Sequence, residues 1–98
     1  ILEKLEVVEM GRVLIVNLKH GGHVTKHNDQ GTYADHYSRF HLVVTSNEWC
    51  SQTCGDQKQK FEVGDVWWFN HKKLHTADNV GTTDRVHIIF DCVTKYPL

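Results

Sequence analysis

The most regular strand in the sequence reads Arg85-Val86-His87-Ile88-Ile89-Phe90-Asp91-Cys92, and the segment Arg39-Phe40-His41-Leu42-Val43-Val44-Thr45 begins in the same way. Both segments open with an Arg-x-His pattern and continue with β-branched and aromatic residues, which favour extended structure. Residues two apart on a strand face the same side of a sheet, so each segment turns its Arg and its His together. We therefore expect two strands that direct cationic and polar side chains into a lumen with otherwise apolar walls.

Further short, apolar-rich segments lie on either side of these two, and turn signals such as Gly11, Gly21-Gly22 and Gly64-Asp65 separate them. Closure of such strands into a jelly roll protects the sheet edges and encloses a small pocket. We predict one all-β jelly-roll domain over residues 1–98, with eight or nine strands and no helices. The predicted strands are Leu5–Glu9, Arg12–Leu18, His23–His27, Arg39–Thr45, Trp49–Thr53, Lys58–Val63, Val66–Phe69, Leu74–Ala77 and Arg85–Cys92.

Composition narrows the possible partners and compartment. The 98 residues contain 11 Lys and Arg against 12 Asp and Glu, so no basic surface selects nucleic acid or an anionic membrane. No apolar run approaches the roughly 20 residues that span a bilayer, which predicts a cytoplasmic protein. The odd number of cysteines (Cys50, Cys54 and Cys92) predicts reduced thiols. Because the chain begins with Ile1 and its one Met is Met10, we expect it to be part of a longer product.

The segment His27-Asn28-Asp29 is a candidate metal-binding site. A His and an Asp two apart on an extended segment can face the same side, and His75 could close a two-His, one-carboxylate triad from a neighbouring strand. Such a triad leaves coordination positions open and suits iron(II) better than a closed tetrahedral zinc site does. We predict that His27, Asp29 and His75 bind a metal at the mouth of the barrel.

The two arginines of the repeated pattern need anionic partners if they face the lumen. Burying an unpaired guanidinium is costly, and its planar fork suits a carboxylate. For Arg39 and Arg85 the partner could be a protein carboxylate, with Asp29, Asp84 and Asp91 as candidates, or a bound acid. A metal site beside them favours the bound acid.

Six motifs follow one another along the chain: Leu18-x-x-Gly21, His27-x-Asp29-x-Gly31, Arg39-x-His41, Gly64-Asp65-x-Trp67-Trp68-Phe69-Asn70, His75-x-x-x-Asn79 and Arg85-x-His87-x-Ile89-x-Asp91. Together they resemble a known family, the aspartyl/asparaginyl β-hydroxylases among the 2-oxoglutarate-dependent oxygenases. The resemblance covers about residues 12 to 91 and implies a double-stranded β-helix, cupin-like fold, iron(II), and 2-oxoglutarate as co-substrate. It implies that His27, Asp29 and His75 are the metal ligands, that Arg85 anchors the distal carboxylate of 2-oxoglutarate, and that Arg39 and His41 line the same pocket.

The resemblance implies a dioxygenase that uses dioxygen to hydroxylate a C–H bond of an amino acid or of an Asp or Asn side chain in a peptide. Some members of the family lack the metal carboxylate, whereas Asp29 is more like those that act on free amino acids such as proline. Two alternatives stay open from the residues alone. One is a cupin-like metalloenzyme that does not use 2-oxoglutarate, and the other is a non-catalytic module that binds metal or a small acid.

Overall fold

The computed structural model describes residues 6–95, which form two four-stranded antiparallel sheets and one short helix. One sheet has the strand order β1-β8-β3-β6 and the other β2-β7-β4-β5, so the chain crosses repeatedly from sheet to sheet. This is the jelly roll that the sequence predicts. Its elements are β1 (Val7–Leu18), β2 (His23–His27), α1 (Thr32–His36), β3 (Ser38–Thr45), β4 (Cys50–Cys54), β5 (Gln57–Gln59), β6 (Val66–Phe69), β7 (His75–Asn79) and β8 (Arg85–Thr94).

The two Arg-x-His strands, β3 and β8, lie side by side in the first sheet. They run antiparallel, with Arg39 opposite Asp91 and His41 opposite Ile89. Directly opposed residues on neighbouring strands share a face, so both motifs line the same side of this sheet. That side faces the cavity described below.

The other face of the same sheet carries an apolar cluster. Phe40 and Phe90 are directly opposed on β3 and β8 and stack with ring centroids 5.4 Å apart. Cys92 is fully buried beside them. The strict alternation along β3 and β8 thus separates an apolar outer layer from a polar inner face, as their period-2 pattern predicts.

The first two predicted strands form one continuous strand, which corrects the prediction of a turn at Gly11. β1 runs from Val7 to Leu18, and its pairing with β8 shifts register between Met10 and Val13 instead of ending. A Cβ at Gly11 would lie 2.8 Å from the Tyr33 hydroxyl. The glycine therefore permits a close approach of tyrosine to the strand, and Leu5 of the first predicted strand lies outside the described residues.

Two further predictions need correction. The helix α1 over Thr32–His36 contradicts the prediction of no helices, and Gly31 precedes it with a φ of 102°, a conformation that favours glycine. The predicted strand Lys58–Val63 shortens to β5 over Gln57–Gln59. Beyond β5 the chain leaves the sheet, and Phe61 stacks on Trp67 with ring centroids 4.9 Å apart.

The remaining predicted strands agree with the structure to within two residues at the ends that the structure describes. The three cysteines are free thiols. Within the described part of the chain, the single helix of five residues is far too short to cross a membrane.

Candidate metal centre

Three potential metal ligands converge where β2 and β7 meet. His27 ends β2, His75 begins β7, and the two are register partners whose rings lie 4.1 Å apart between centroids. Asp29 follows two residues after His27, and its backbone N–H donates to the His71 carbonyl at 2.8 Å. One ligand atom from each of His27, Asp29 and His75 lies within 4.8 Å of the others. The structure thus brings together the three residues that the sequence predicts as metal ligands.

Both histidines have Nδ1 hydrogen-bonded to a backbone carbonyl, an arrangement in which a neutral ring offers Nε2 to a metal. The Nδ1 of His27 lies 2.8 Å from the Thr25 carbonyl oxygen, and the Nδ1 of His75 lies 2.8 Å from the Lys73 carbonyl oxygen. A carbonyl can only accept, so each Nδ1 must be the protonated nitrogen and each Nε2 keeps its lone pair. Burial also lowers the pKa of His75, which favours the neutral ring. Two histidines with free Nε2 atoms and one carboxylate suit a divalent transition metal.

Asp29 is bound to a second, deeper carboxylate through Arg39. Arg39 donates from Nη1 to Asp29 Oδ2 at 3.0 Å, and from Nε and Nη2 to the two oxygens of Asp91 at 2.7 and 2.9 Å. Burial alone would raise the pKa of Asp91, but hydrogen bonds from Arg39 and Tyr33 outweigh it and keep that pKa below its ordinary value. Arg39 therefore has protein carboxylates as partners, the first of the two possibilities that its sequence context left open.

A cavity of about 160 Å³ lies beside the two histidines, between the sheets. Both Arg39 and Arg85 reach it, as does His41. Phe69, which is 5% exposed, packs edge-on against His75 with ring centroids 4.7 Å apart and forms part of the wall. The residues lining the cavity are Val16, Val24, His27, Arg39, His41, Gln52, Phe69, His75, Thr76, Ala77, Arg85 and Ile89.

Arg85 is buried in this wall, and none of the residues from 6 to 95 gives it a carboxylate partner. It is 4% exposed, its Nη1 makes one long contact of 3.4 Å with Gln52 Oε1, and its Nε has no hydrogen-bond partner among the described residues. Burial lowers its pKa below the ordinary value, although a guanidinium remains charged at neutral pH. A buried cation with an unsatisfied donor fits a small acid in the cavity, since a carboxylate would supply both the missing charge and the missing acceptor.

The two histidines of the repeated pattern contact each other between the arginines. His41 and His87 are buried, and their Nδ1 atoms lie 3.0 Å apart. Burial lowers the pKa of each to about 3, so both are neutral near pH 7 and one ring donates to the other. The Nε2 of His87 has no hydrogen-bond partner among the described residues. His41 lines the cavity, and His87 contacts His41 through its Nδ1.

Sequence reasoning missed the groups that brace the site from behind. Tyr33, in the unpredicted helix α1, donates from its hydroxyl to Asp91 Oδ2 at 2.8 Å. His71 also fixes that helix, because its Nε2 lies 3.1 Å from the Ala34 carbonyl oxygen. Asp91 was one of three carboxylates considered for the arginines, but nothing in the sequence signalled Tyr33 or Gln52. In the turn before β7, the positive charge of Lys72 is paired with Asp35 at 3.2 Å.

Comparison with known proteins identifies the family of this chain. The family model for aspartyl/asparaginyl β-hydroxylase matches residues 1–95. The chain belongs to this family. The resemblance drawn from the sequence motifs is thus confirmed.

One relative and one solved structure are similar to this chain. The L-proline cis-4-hydroxylase of Rhizobium meliloti (strain 1021) is 26% identical over 84 residues, a match that covers 85% of this chain and 30% of that protein. The chain therefore spans less than a third of the length of this curated relative. A crystal structure from Thermotoga maritima, described as a predicted oxalate decarboxylase, has a TM-score of 0.66 at 14% identity and covers 86% of this chain and 67% of that chain. At that identity the likeness concerns the fold, and it confirms the cupin-like jelly roll.

Proposed function

We propose that this β-hydroxylase family member is an iron(II)- and 2-oxoglutarate-dependent dioxygenase that hydroxylates a C–H bond of an amino acid, free or as an Asp or Asn side chain in a peptide. One observation carries the proposal. Arg85, which is buried and has no carboxylate partner in the described part of the chain, lines the same cavity of about 160 Å³ as His27 and His75. A metal and an acid anchor in one small cavity are what a chelating keto acid with a second carboxylate needs.

The described residues fit both groups. His27, Asp29 and His75 would hold iron(II), and Arg85 would pair with the far carboxylate of 2-oxoglutarate, which agrees with its unsatisfied Nε. When bound, iron(II) with 2-oxoglutarate supplies the oxidation of a C–H bond by dioxygen and yields succinate and carbon dioxide. The protein contributes position and a dry environment.

The chain's own residues orient the reactants and exclude water. The backbone carbonyls of Thr25 and Lys73 fix the ring orientation of the two histidines through their Nδ1 atoms. Phe69 covers one side of His75. Apolar residues complete the wall, so the Arg85 charge acts in a poorly hydrated space where its attraction for a carboxylate is stronger than in water.

The substrate class rests on the relative and on Asp29. The relative is named for hydroxylation of L-proline, and this chain has the metal carboxylate expected of members that act on free amino acids. A free amino acid is therefore our first substrate to test, followed by peptides that contain Asp or Asn. The cytoplasmic location and the absence of nucleic-acid and membrane partners stay predictions.

The test is an anaerobic titration of the protein with iron(II) and then with 2-oxoglutarate, followed by visible absorption. We expect the charge-transfer band of an iron-chelated keto acid to appear and to saturate at one equivalent. His75→Ala should abolish the band, while His36→Ala, which removes an exposed histidine paired with Glu9, should leave it unchanged. Iron binding without a band would reject the 2-oxoglutarate assignment in favour of another cupin-like metalloenzyme, and no iron binding would reject the metal site.

A further inference from the structure

We propose that Arg39 is a positioning residue that fixes the metal carboxylate Asp29, instead of a contact for 2-oxoglutarate. The inference rests on the metal site of the proposed function and adds a series of hydrogen-bonded side chains that supports Asp29. This hydrogen-bonded series runs from the hydroxyl of Tyr33 through Asp91 and Arg39 to Asp29.

Each of the three side-chain nitrogens of Arg39 donates to a carboxylate. Its Nε and Nη2 donate to the two oxygens of Asp91, and its Nη1 donates to Asp29 Oδ2. The hydrogen bonds to Asp91 are the largest cause of the raised pKa of Arg39. This occupancy contrasts with Arg85, whose Nε has no partner among the described residues. Of the two arginines at the cavity, Arg85 is therefore the one whose charge has no carboxylate partner among the described residues.

The Asp91 end of this hydrogen-bonded series is held rigidly. Asp91 is 2% exposed and lies directly opposite Arg39 in the β3–β8 ladder. The Tyr33 hydroxyl donates to Asp91 Oδ2 at 2.8 Å and accepts the Arg12 backbone N–H at 2.9 Å. The guanidinium is thus fixed by two hydrogen bonds to a carboxylate that is itself held by the sheet and by helix α1.

The Asp29 end needs this support because it lies outside a strand. β2 ends at His27, and the backbone of Asp29 is tied to the barrel by its N–H bond to the His71 carbonyl. The contact with Arg39 at Oδ2 then orients the Asp29 side chain. One guanidinium between two carboxylates leaves a net negative charge, which a divalent cation would offset.

A double-mutant cycle with cobalt(II) tests the inference without turnover or co-substrate. Cobalt(II) binds N/O sites more tightly than iron(II) does, so weakened variants remain measurable by visible absorption and chelator competition. Arg39→Lys keeps the charge but cannot bridge both carboxylates, and we expect it to weaken cobalt binding about 10–100-fold, as outer-shell changes typically do. In an Asp29→Ala background the same change should alter cobalt affinity less than about 2-fold, because the group through which Arg39 acts is gone.

A matched control is Arg12→Lys, because Arg12 lies over the Tyr33 ring at 4.2 Å and Lys keeps a cation there. We expect cobalt affinity to be unchanged in this variant. An equal loss from Arg39→Lys in both backgrounds would overturn the inference, since Arg39 would then act through the general structure. Unchanged cobalt affinity, with or without weaker binding of 2-oxoglutarate to the iron-loaded protein, would also overturn it. Failure of the parent protein to bind cobalt would instead reject the metal site itself.

Circular dichroism checks that each variant folds. Should Arg39→Lys fail that check, Tyr33→Phe takes its place in the same cycle, because it removes one hydrogen bond to Asp91 and touches neither Asp29 nor the cavity. Its expected loss of cobalt affinity is about 2–10-fold, the usual range for one hydrogen bond. That loss should vanish in the Asp29→Ala background, and its persistence there would overturn the inference.

Discussion

Arg39-Phe40-His41 and Arg85-Val86-His87 are two copies of one sequence pattern on adjacent strands, yet their arginines have opposite surroundings. Arg39 makes three hydrogen bonds to two carboxylates. Arg85 is more deeply buried and has one long contact with Gln52. The histidines, by contrast, behave alike and contact each other.

The difference arises from the antiparallel pairing of β3 and β8. It places Asp91 opposite Arg39, whereas the partner of Arg85 in the β1–β8 ladder is Leu18. A cation opposite a carboxylate is satisfied within the protein, while a buried cation opposite leucine lacks an anion and can bind one. The same three-residue pattern therefore pairs with protein carboxylates at one end of the sheet, and at the other end we propose that it binds a ligand.

The largest contrast is expected from the same substitution at the two arginines, beginning with Arg39→Met. This change leaves Asp91 buried without its cation, and removal of one partner of a buried pair typically costs about 3–5 kcal/mol. We expect the free energy of unfolding, measured in urea at pH 7 without metal, to fall by that amount. A loss below about 1 kcal/mol would mean that the Arg39–Asp91 pair contributes little and would remove one side of the comparison.

Arg85→Met should have the opposite effect, with no loss of stability but a large loss of 2-oxoglutarate affinity. The ligand-free protein loses an unpaired buried charge, so the free energy of unfolding should stay unchanged or rise by about 1–2 kcal/mol. Binding of 2-oxoglutarate to the iron-loaded protein should weaken at least 30-fold, about 2 kcal/mol, because the distal carboxylate loses its cation. Iron affinity should remain that of the parent. Equal 2-oxoglutarate affinity in the variant and the parent, measured by the visible band, would refute the anchor assignment.

The paired histidines should make stability fall with acid. Their folded pKa of about 3 lies below the ordinary value of 6.5, so the unfolded chain binds more protons between these values. Their contribution is fully present above about pH 6.5 and is lost as the pH falls toward 3, at up to about 1.4 kcal/mol per pH unit for each histidine. Urea unfolding between pH 7 and 4.5 should show this slope, and His87→Asn should reduce it. An unchanged slope in His87→Asn would show that other groups control acid unfolding.

Much of this arrangement was accessible from the sequence because alternation on a strand is a local property. The period-2 pattern of β3 and β8 placed both Arg-x-His pairs on one face, and the spacing in His27-x-Asp29 placed two candidate metal ligands together. The jelly roll itself followed from the short strands and glycine turns. Each of these inferences depends on residues that are close in the chain or on a general need to close sheet edges.

The rest depended on pairing between distant segments. The sequence could not show that Asp91 lies opposite Arg39, because register between β3 and β8 is set by the whole sheet. Helix α1 was missed because Thr32–His36 forms one turn, too short for a helical period to appear. Gly11 was mistaken for a turn because its actual role, making room for the Tyr33 hydroxyl, involves a residue far along the chain.

The smallest expected effect comes from that helix and sharpens the comparison at the Arg39 end. Tyr33→Phe removes a hydroxyl that donates to Asp91 and accepts the Arg12 backbone N–H. Loss of these bonds should lower the free energy of unfolding by about 1–2 kcal/mol, less than Arg39→Met because the Asp91 cation remains. The 2-oxoglutarate affinity of the iron-loaded protein should change little, because Arg85 lies at the other end of the sheet. A large loss of 2-oxoglutarate affinity would show that the two ends of the sheet are coupled, and a difference of surroundings alone would no longer explain the two arginines.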